Sequence, residues 1–339
     1  MVVPSEGVIG TNHFFRRALR HTVWYSNSMT VMRIDDSALP QVEQLWQQSR
    51  HLYQNIAHED LIGLLRRQIG VLGTDRQRAW GFLCIQSEQR PTTLPAHAPQ
   101  RAYVRAVALA RGTSPTRQVP ELMAVAEQYL PSYATAHLLT VYGDYEWLNR
   151  GLYHADFTIA EEVQFLALPR LQRWQPPSRT GRALPPPELV QLRPCRPADL
   201  PVLAQLDAQT FSPLWHFGEA GLHELLFTSR LQVATVQETL VGYTAISYTN
   251  GSAHLARLAI HPQWQGQGFG HLLLRDVLLD ARREGINTVM LNTQVHNSRA
   301  QQLYRSYGFR PTGQIVPVLA KLVGATGGMD LHQLIIGAV

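Results

Sequence analysis

The sequence predicts an α/β chain (α+β, with mixed sheets), built as two tandem copies of one fold in which a mostly antiparallel, twisted sheet is flanked by helices. Three observations predict it. An apolar strand, Ala253 to Ile260, runs through a glycine-rich corner into the helical run that opens at His271, and a second apolar strand, Thr288 to Asn292, follows. Sliding the second half back by 152 residues, without a gap, lays strand on strand and helix on helix, with Arg257 on Arg105 and Tyr304 on Leu152. Between the halves, residues 169–188 carry Pro176, Pro177, Pro185, Pro186 and Pro187, which disfavour helix and read as a semi-rigid linker.

Taken in order, residues 1–29 mix aromatic and basic side chains without clear periodicity and read as an N-terminal extension that lacks the apolar core of a secretory signal. The first copy, 30–168, begins with a strand at Val31 to Ile34. Asp36 or Ser37 is placed to cap a helix near Ala38, with Pro40 in its first turn and Leu39, Val42, Leu45 and Trp46 on one face. The stretch Asp60 to Leu72 fits helix or strand, and Ala79 to Ile85 reads as a strand. The offset of 152 then puts a strand at 101–108, a helix at 119–129 and a strand at 137–139. In the second copy, 189–339, come a strand at Val190 to Arg193, a helix from Ala198 with Leu200, Leu203 and Leu206 inward, and an aromatic loop from Phe211 to Phe217. A hairpin turning at Glu238-Thr239 follows, and Asn250-Gly251 signals the next tight turn.

Composition narrows the function. The 339 residues suffice for two domains, and 45% apolar residues fill real cores. No run of 18 or more apolar residues is present, so no membrane span is expected. Two cysteines, Cys84 and Cys195, exclude a disulfide framework and fit a reducing cytoplasm. The net charge of +5, carried almost wholly by arginine, attracts anions, but no basic run with interleaved aromatics marks a nucleic-acid partner. The fourteen histidines show no metal-ligand spacing, and no metal is expected.

The glycine corner is the feature that carries chemistry. A helix start leaves backbone N–H groups without intrahelical acceptors and bears about half a positive charge. Gly266, Gly268 and Gly270 keep side chains out of the way of a phosphate approaching those groups. The Walker A pattern fails because His271, not lysine, follows Gly270, and the dinucleotide fingerprint fails for want of its third glycine. What stands there is Gln265-x-x-Gly268-x-Gly270. It is followed at the proper distance by Asn297-x-x-Ala300-x-x-x-Tyr304-x-x-x-Gly308-Phe309.

These two blocks, with the helix and strand between them, resemble the GNAT superfamily of N-acetyltransferases. The resemblance implies two tandem GNAT-like domains, with acetyl-CoA as co-substrate and a primary amine as acceptor. In family terms, backbone N–H groups of Gly266, Gln267, Gly268, Phe269, Gly270 and His271 hold the pyrophosphate, with Gln265 bracing the corner, and Leu258, Ala259 and Ile260, beside a splay in the sheet, pair with the pantetheine arm. Tyr304 is the general acid for the leaving thiolate, its phenol matched to a thiol of similar pKa. Asn297 holds the pantetheine or caps the helix. Phe211 and Trp215 line the acceptor pocket or pack the core. The family's strand glutamate is absent from 253–260, which leaves Glu219, Glu224 or a water relay as base. Acceptor alternatives stay open between a protein N-terminus and a small-molecule amine, and a non-catalytic acyl-CoA sensor is the rival reading. The first copy carries Thr113, Thr116 and Gln118 where the second has Gln265, Gly268 and Gly270, and Leu152 for Tyr304. It is therefore expected to be a degenerate copy without its own coenzyme A site.

Overall fold

The computed structural model describes residues 29–324 and 331, apart from 57, 77, 89, 92, 95–97, 133–135 and 178–183 and the side chains of 58–60. The extension before Met29 lies outside the described residues. The first half contains β1 (Met29–Arg33), α1 (Leu39–Gln48), β2 (His51–Gln54), α2 (His58–Arg67), β3 (Ile69–Asp75), β4 (Arg78–Ser87), β5 (Gln100–Leu109), α3 (Pro115–Glu127), β6 (His137–Tyr142), α4 (Glu146–Tyr153) and β7 (Thr158–Leu168). The second contains β8 (Gln191–Pro194), α5 (Leu200–Thr210), α6 (Glu219–Thr228), β9 (Arg230–Val236), β10 (Thr239–Thr249), β11 (Ser252–Ile260), α7 (Phe269–Arg283), β12 (Thr288–Gln294), α8 (Ser298–Ser306) and β13 (Arg310–Val323). Among the described residues no helix is long and apolar enough to cross a membrane.

The repeat is real and has two offsets. From β5 onward elements pair at about 152, as in Gln100 with Ser252 and Glu146 with Ser298. Before β5 they pair at 161: Leu39 with Leu200, His58 with Glu219, Ile69 with Arg230, Arg78 with Thr239. The change falls between β4 and β5, where residues 88–99 stand in place of the tight turn Asn250-Gly251, whose two residues both adopt positive φ.

Local chemistry explains the element ends. Asp35, not Asp36 or Ser37, caps the first helical turn, its carboxylate accepting from the amides of Ser37 and Ala38. The ambiguous stretch 60–72 divides into the end of α2, with Leu61, Leu64 and Leu65 buried, and the buried strand β3. The hairpin between β9 and β10 turns at Gln237-Glu238, one residue before the expected position, and both residues take the left-handed conformation. Residues at the start of the expected linker are docked: Leu171 is fully buried, Gln172 donates to the carbonyls of Arg282 and Ile286, and the Trp174 indole donates to Tyr307 O.

The two halves share one sheet. Its order is β1-β3-β4-β5-β6-β13-β7-β12-β11-β10-β9-β8, with β2 paired to β5 off this path. Within each half the strands are antiparallel except β5 with β6 and β11 with β12, which run parallel. At the centre the final strands are exchanged: β13 of the second half pairs with β6 of the first, and β7 of the first pairs with β12 of the second. Helices cover both faces. On one face α7 and α8 bury Leu274, Val277, Leu278 and Tyr304 against Leu255, Leu291, Leu166 and Leu168. On the other α5 and α6 bury Leu203, Leu206 and Leu222 against Val233, Tyr243 and Ala259. Each such fully buried aliphatic side chain contributes about 1.5–3 kcal/mol.

Candidate active site

The pairing of β11 with β12 covers only Ser252–Leu255 opposite Thr288–Leu291. An extra residue in β11, Ala256, bulges between the positions paired to Ala245 and Ile246. A bulge bends its strand and increases the local twist, and beyond it the two strands diverge. Arg257–Ile260 keeps β10 on one edge, but among the described residues no strand pairs with the other. That edge bears backbone amide and carbonyl groups directed into the gap, which suit an extended ligand carrying amides. Leu258, Ala259 and Ile260 lie along this unpaired edge.

The glycine corner closes one end of this gap. Gly266 and Gly268 have φ of 81° and 90°, a region that side-chain-bearing residues enter only with strain. Gly268 is the N-cap, so α7 starts at Phe269, two residues earlier than expected, and Gly270 and His271 belong to its first turn. Gln265 braces the corner as expected. Its amide donates to Ile260 O at 3.0 Å, and its carbonyl oxygen accepts from Arg299 of α8 at 2.6 Å. Gln267 is exposed and donates to Gln263 O. Phe269 is buried beside Trp264, and His271 O accepts from the Tyr307 hydroxyl at 2.8 Å. The left-handed glycines, the helix start and the open strand edge together form a groove that fits a phosphate at one end and an amide-bearing arm along the sheet.

Tyr304 of α8 is 8% exposed, packs against Phe309 and belongs to the core cluster on the α7 side of the sheet, against which Leu258 of β11 also packs. Burial pushes its phenol up to about 12, with Arg257 pulling in the opposite direction. It is therefore protonated at neutral pH, as a general acid must be. Asn297 caps α8, accepting from Ala300 N at 3.0 Å, which realises the capping alternative.

The opposite face of the gap is held by a buried polar network not foreseen in the sequence. Asp207 of α5, fully buried, accepts from Arg257 Nε and Nη2 at 3.0 and 2.7 Å, from the Tyr243 hydroxyl at 2.5 Å and from Phe217 N at 2.5 Å. Arg257 also donates to Trp215 O at 2.6 Å and lies 3.6 Å from the Phe211 ring centroid and 4.3 Å from that of Phe217. Phe211 and Trp215 thus belong to a loop clamped over β11. Trp215 leans on Tyr142 of the first half, with ring centroids 6.5 Å apart, and Arg101 of β5 reaches across to Leu214 O. Glu219 and Glu224 are exposed residues of α6. The signals that could have revealed the network were an aspartate on the apolar stripe of α5 (Leu200, Leu203, Ala204, Asp207) and an arginine inside an apolar strand. Carboxylates and guanidinium groups are rarely buried unless paired.

The first half has the same elements without the gap. Position for position at the 161 offset, Ser212–Trp215 corresponds to His51–Gln54. Trp215 N and His216 N close a turn on Ser212 O, whereas His51–Gln54 is the strand β2, laid antiparallel on Ala106–Leu109 of β5. Ala106–Leu109 corresponds to Leu258–His261 at the 152 offset, so β2 occupies the edge that the second half leaves open. The corner has changed as well. Ser114, Pro115 and Thr116 replace the left-handed Gly266–Gly268 segment, α3 starts at Pro115, and Gln118 Oε1 accepts from Ser114 N at 2.8 Å.

Comparison with known proteins accords with this geometry. Residues 219–317 match the family described as Acetyltransferase (GNAT) domain. The sequence is 27% identical over 124 residues to a putative [ribosomal protein bS18]-alanine N-acetyltransferase of Bacillus subtilis (strain 168), covering 36% of this chain and 82% of that protein. It is 39% identical over 79 residues to N-alpha-acetyltransferase RimI of Mycobacterium tuberculosis, covering 22% of this chain and 48% of that one, so the match spans about half of this relative. Two solved structures align over 89% of the chain. One is a GCN5-related N-acetyltransferase from Sphaerobacter thermophilus, at TM-score 0.54, 16% identity and 99% of its length; the other is a tandem GNAT protein from the clavulanic acid biosynthesis pathway, at TM-score 0.55, 18% identity and 100% of its length. At those identities the likeness establishes the tandem fold.

Proposed function

We propose that the chain, whose residues 219–317 match a GNAT acetyltransferase domain, transfers an acetyl group from acetyl-CoA directly to a primary amine at a single site. The observation that carries this is the gap between β11 and β12, open on the strand edge at Arg257–Ile260, with the left-handed glycine corner at one end and Tyr304 packed in the same core as Leu258 of that edge. Amides of the corner and of the α7 first turn hold the pyrophosphate, and β11 backbone groups orient the pantetheine. A β11 amide donates to the thioester oxygen as negative charge grows there. The amine attacks the carbonyl carbon, the C–S bond breaks, and Tyr304 gives its proton to the departing sulfur. The matched relatives act on protein N-termini by name, and the acceptor class proposed here is an amine presented to the Phe211–Phe217 loop.

The first half serves as a framework rather than a second enzyme. Strand β2 fills its edge, its corner has become helix, and Leu152 stands where the phenol would be. Equilibrium titration with acetyl-CoA should therefore give one site per chain; two sites would refute the framework role. Tyr304→Phe should lower kcat by on the order of 100-fold with acetyl-CoA affinity held within about twofold. Unchanged turnover would remove Tyr304 from the chemistry. A chain that binds acetyl-CoA but releases thiol with no amine would favour a sensor.

A further inference from the structure

Acetyl transfer also needs a base, because an amine arrives as its ammonium, and no carboxylate is present on β11. A pair of side chains at the far end of β12 supplies one, and it is drawn from both halves. Glu161 of β7 is 7% exposed, and its Oε1 lies 3.0 Å from Nδ1 of His296, whose side chain is 61% exposed. The exchanged strands bring them together: β7 runs beside β12 to Gln294 opposite Val163, and Val295 N donates to Glu162 O. Glu161 lies on the sheet face that carries Val163, Val316 and Val318, the face on which Leu214 and Trp215 of the acceptor loop pack. Burial raises its carboxyl, and both His296 and Trp215 favour the charged form.

We propose that His296 is the general base for the amine and that Glu161, from the other copy, is its positioning residue, so that the active site is complete only across the two halves. This rests on the amine-acetylation reading above. His296 stands where β12 has parted from β11, past the last paired residues Leu255 and Leu291, across the gap from Arg257 of β11, and its partner Glu161 shares a sheet face with Leu214 and Trp215 of the clamped loop. With Nδ1–H donating to Glu161, Nε2 is left as a lone-pair acceptor at the exposed side of the ring. The other ionisable groups of this face are engaged elsewhere: Arg257 on Asp207, His254 on Asn292 and Arg101 on Glu88, with the Tyr142 phenol held protonated by burial, while the exposed Glu162, next along β7, alternates to the other face. Nε2 takes one proton from the ammonium. The free amine then forms the C–N bond, and the C–S bond breaks as the sulfur takes the Tyr304 proton. The second nitrogen proton restores Tyr304, and the imidazolium returns its proton to water. Atoms and charge balance without a further reactant.

The test uses the full-length protein with an amine substrate, thiol release as the rate and calorimetry for acetyl-CoA. His296→Gln, an exposed substitution, should lower kcat/KM for the amine about a hundredfold at neutral pH, abolish the acid limb of the pH–rate profile and leave acetyl-CoA affinity within twofold. Glu161→Gln should lower it about tenfold, and ¹⁵N shifts of the His296 ring should move away from the Nδ1–H tautomer. Wild-type turnover and pH profile in His296→Gln would overturn the dyad while acetyl transfer stands. A wild-type protein inactive with every amine would overturn both.

Discussion

The same positions in the two halves solve one burial problem in opposite ways. Beneath the 211–217 loop the second half places Asp207 and Tyr243, hydrogen-bonded to each other and to Arg257. At the corresponding 161 offset the first half places Trp46 and Phe82, stacked with centroids 6.2 Å apart. Its arginine at the Arg257 position, Arg105, turns instead to Gln86 at 2.8 Å and lies over the Tyr103 ring. Replacing a buried ion pair by apolar side chains is often neutral or stabilising, so stability alone does not explain why the second half keeps the costlier arrangement. Its network clamps the 211–217 loop as a turn above an open strand edge; the first half, freed from that task, lets the same segment pair as β2. Openness is maintained by polar restraint and closure by strand pairing.

The sharpest way to break this contrast is to cut the clamp. Asp207→Asn leaves the Arg257 charge buried without its counter-ion and should cost about 3–5 kcal/mol in urea unfolding, whereas Arg105→Gln in the first half should cost less than about 1 kcal/mol. Equal losses would mean that the two arginines do the same job. A smaller effect is expected from acid. His216 on the clamped loop is fully buried, and burial, with Arg101 assisting, lowers its pKa to about 4. A histidine that titrates lower in the folded than in the unfolded state stabilises fully above its ordinary value of 6.5. That contribution fades as pH falls from 6.5 towards 4, to a total of about 3 kcal/mol. Melting followed between pH 7 and 4 should show this slope, and His216→Leu should flatten it. Smallest is the corner: Gly268→Ala should cost about 1–2 kcal/mol through its positive φ and weaken acetyl-CoA binding, while Thr116→Gly in the helical counterpart should cost about 0.5–1 kcal/mol and leave acetyl-CoA affinity untouched.

Much of this was legible in the residues. The glycine corner, its following helix and the Asn297…Tyr304 block are local patterns, so their spacing survives as sequence. The repeat was legible from β5 onward because no insertion interrupts it there. Before β5 only the starts, Leu39-Pro40 and Leu200-Pro201, were matched, because residues 88–99 shift the offset to 161 and a gapless comparison cannot follow that shift. Strand β2 was not legible: His51-Leu-Tyr-Gln54 has no strong pattern of its own and becomes a strand only because β5 offers an edge. The partners of β7 and β13 were equally hidden. Neither was singled out as a strand from its residues, and nothing local states that each lies against the other half. Glu161 and His296, 135 positions apart in the chain, meet only through that pairing.

The exchange of final strands has a consequence for how the chain is made. On the ribosome the first 168 residues emerge with β6 lacking its antiparallel neighbour, since that place belongs to residues 318–323. A sheet edge so exposed invites other chains, and contacts this distant in sequence form slowly. The first half should therefore wait, incompletely folded, until residues 318–323 have been synthesised, and the two copies should fold as one cooperative unit.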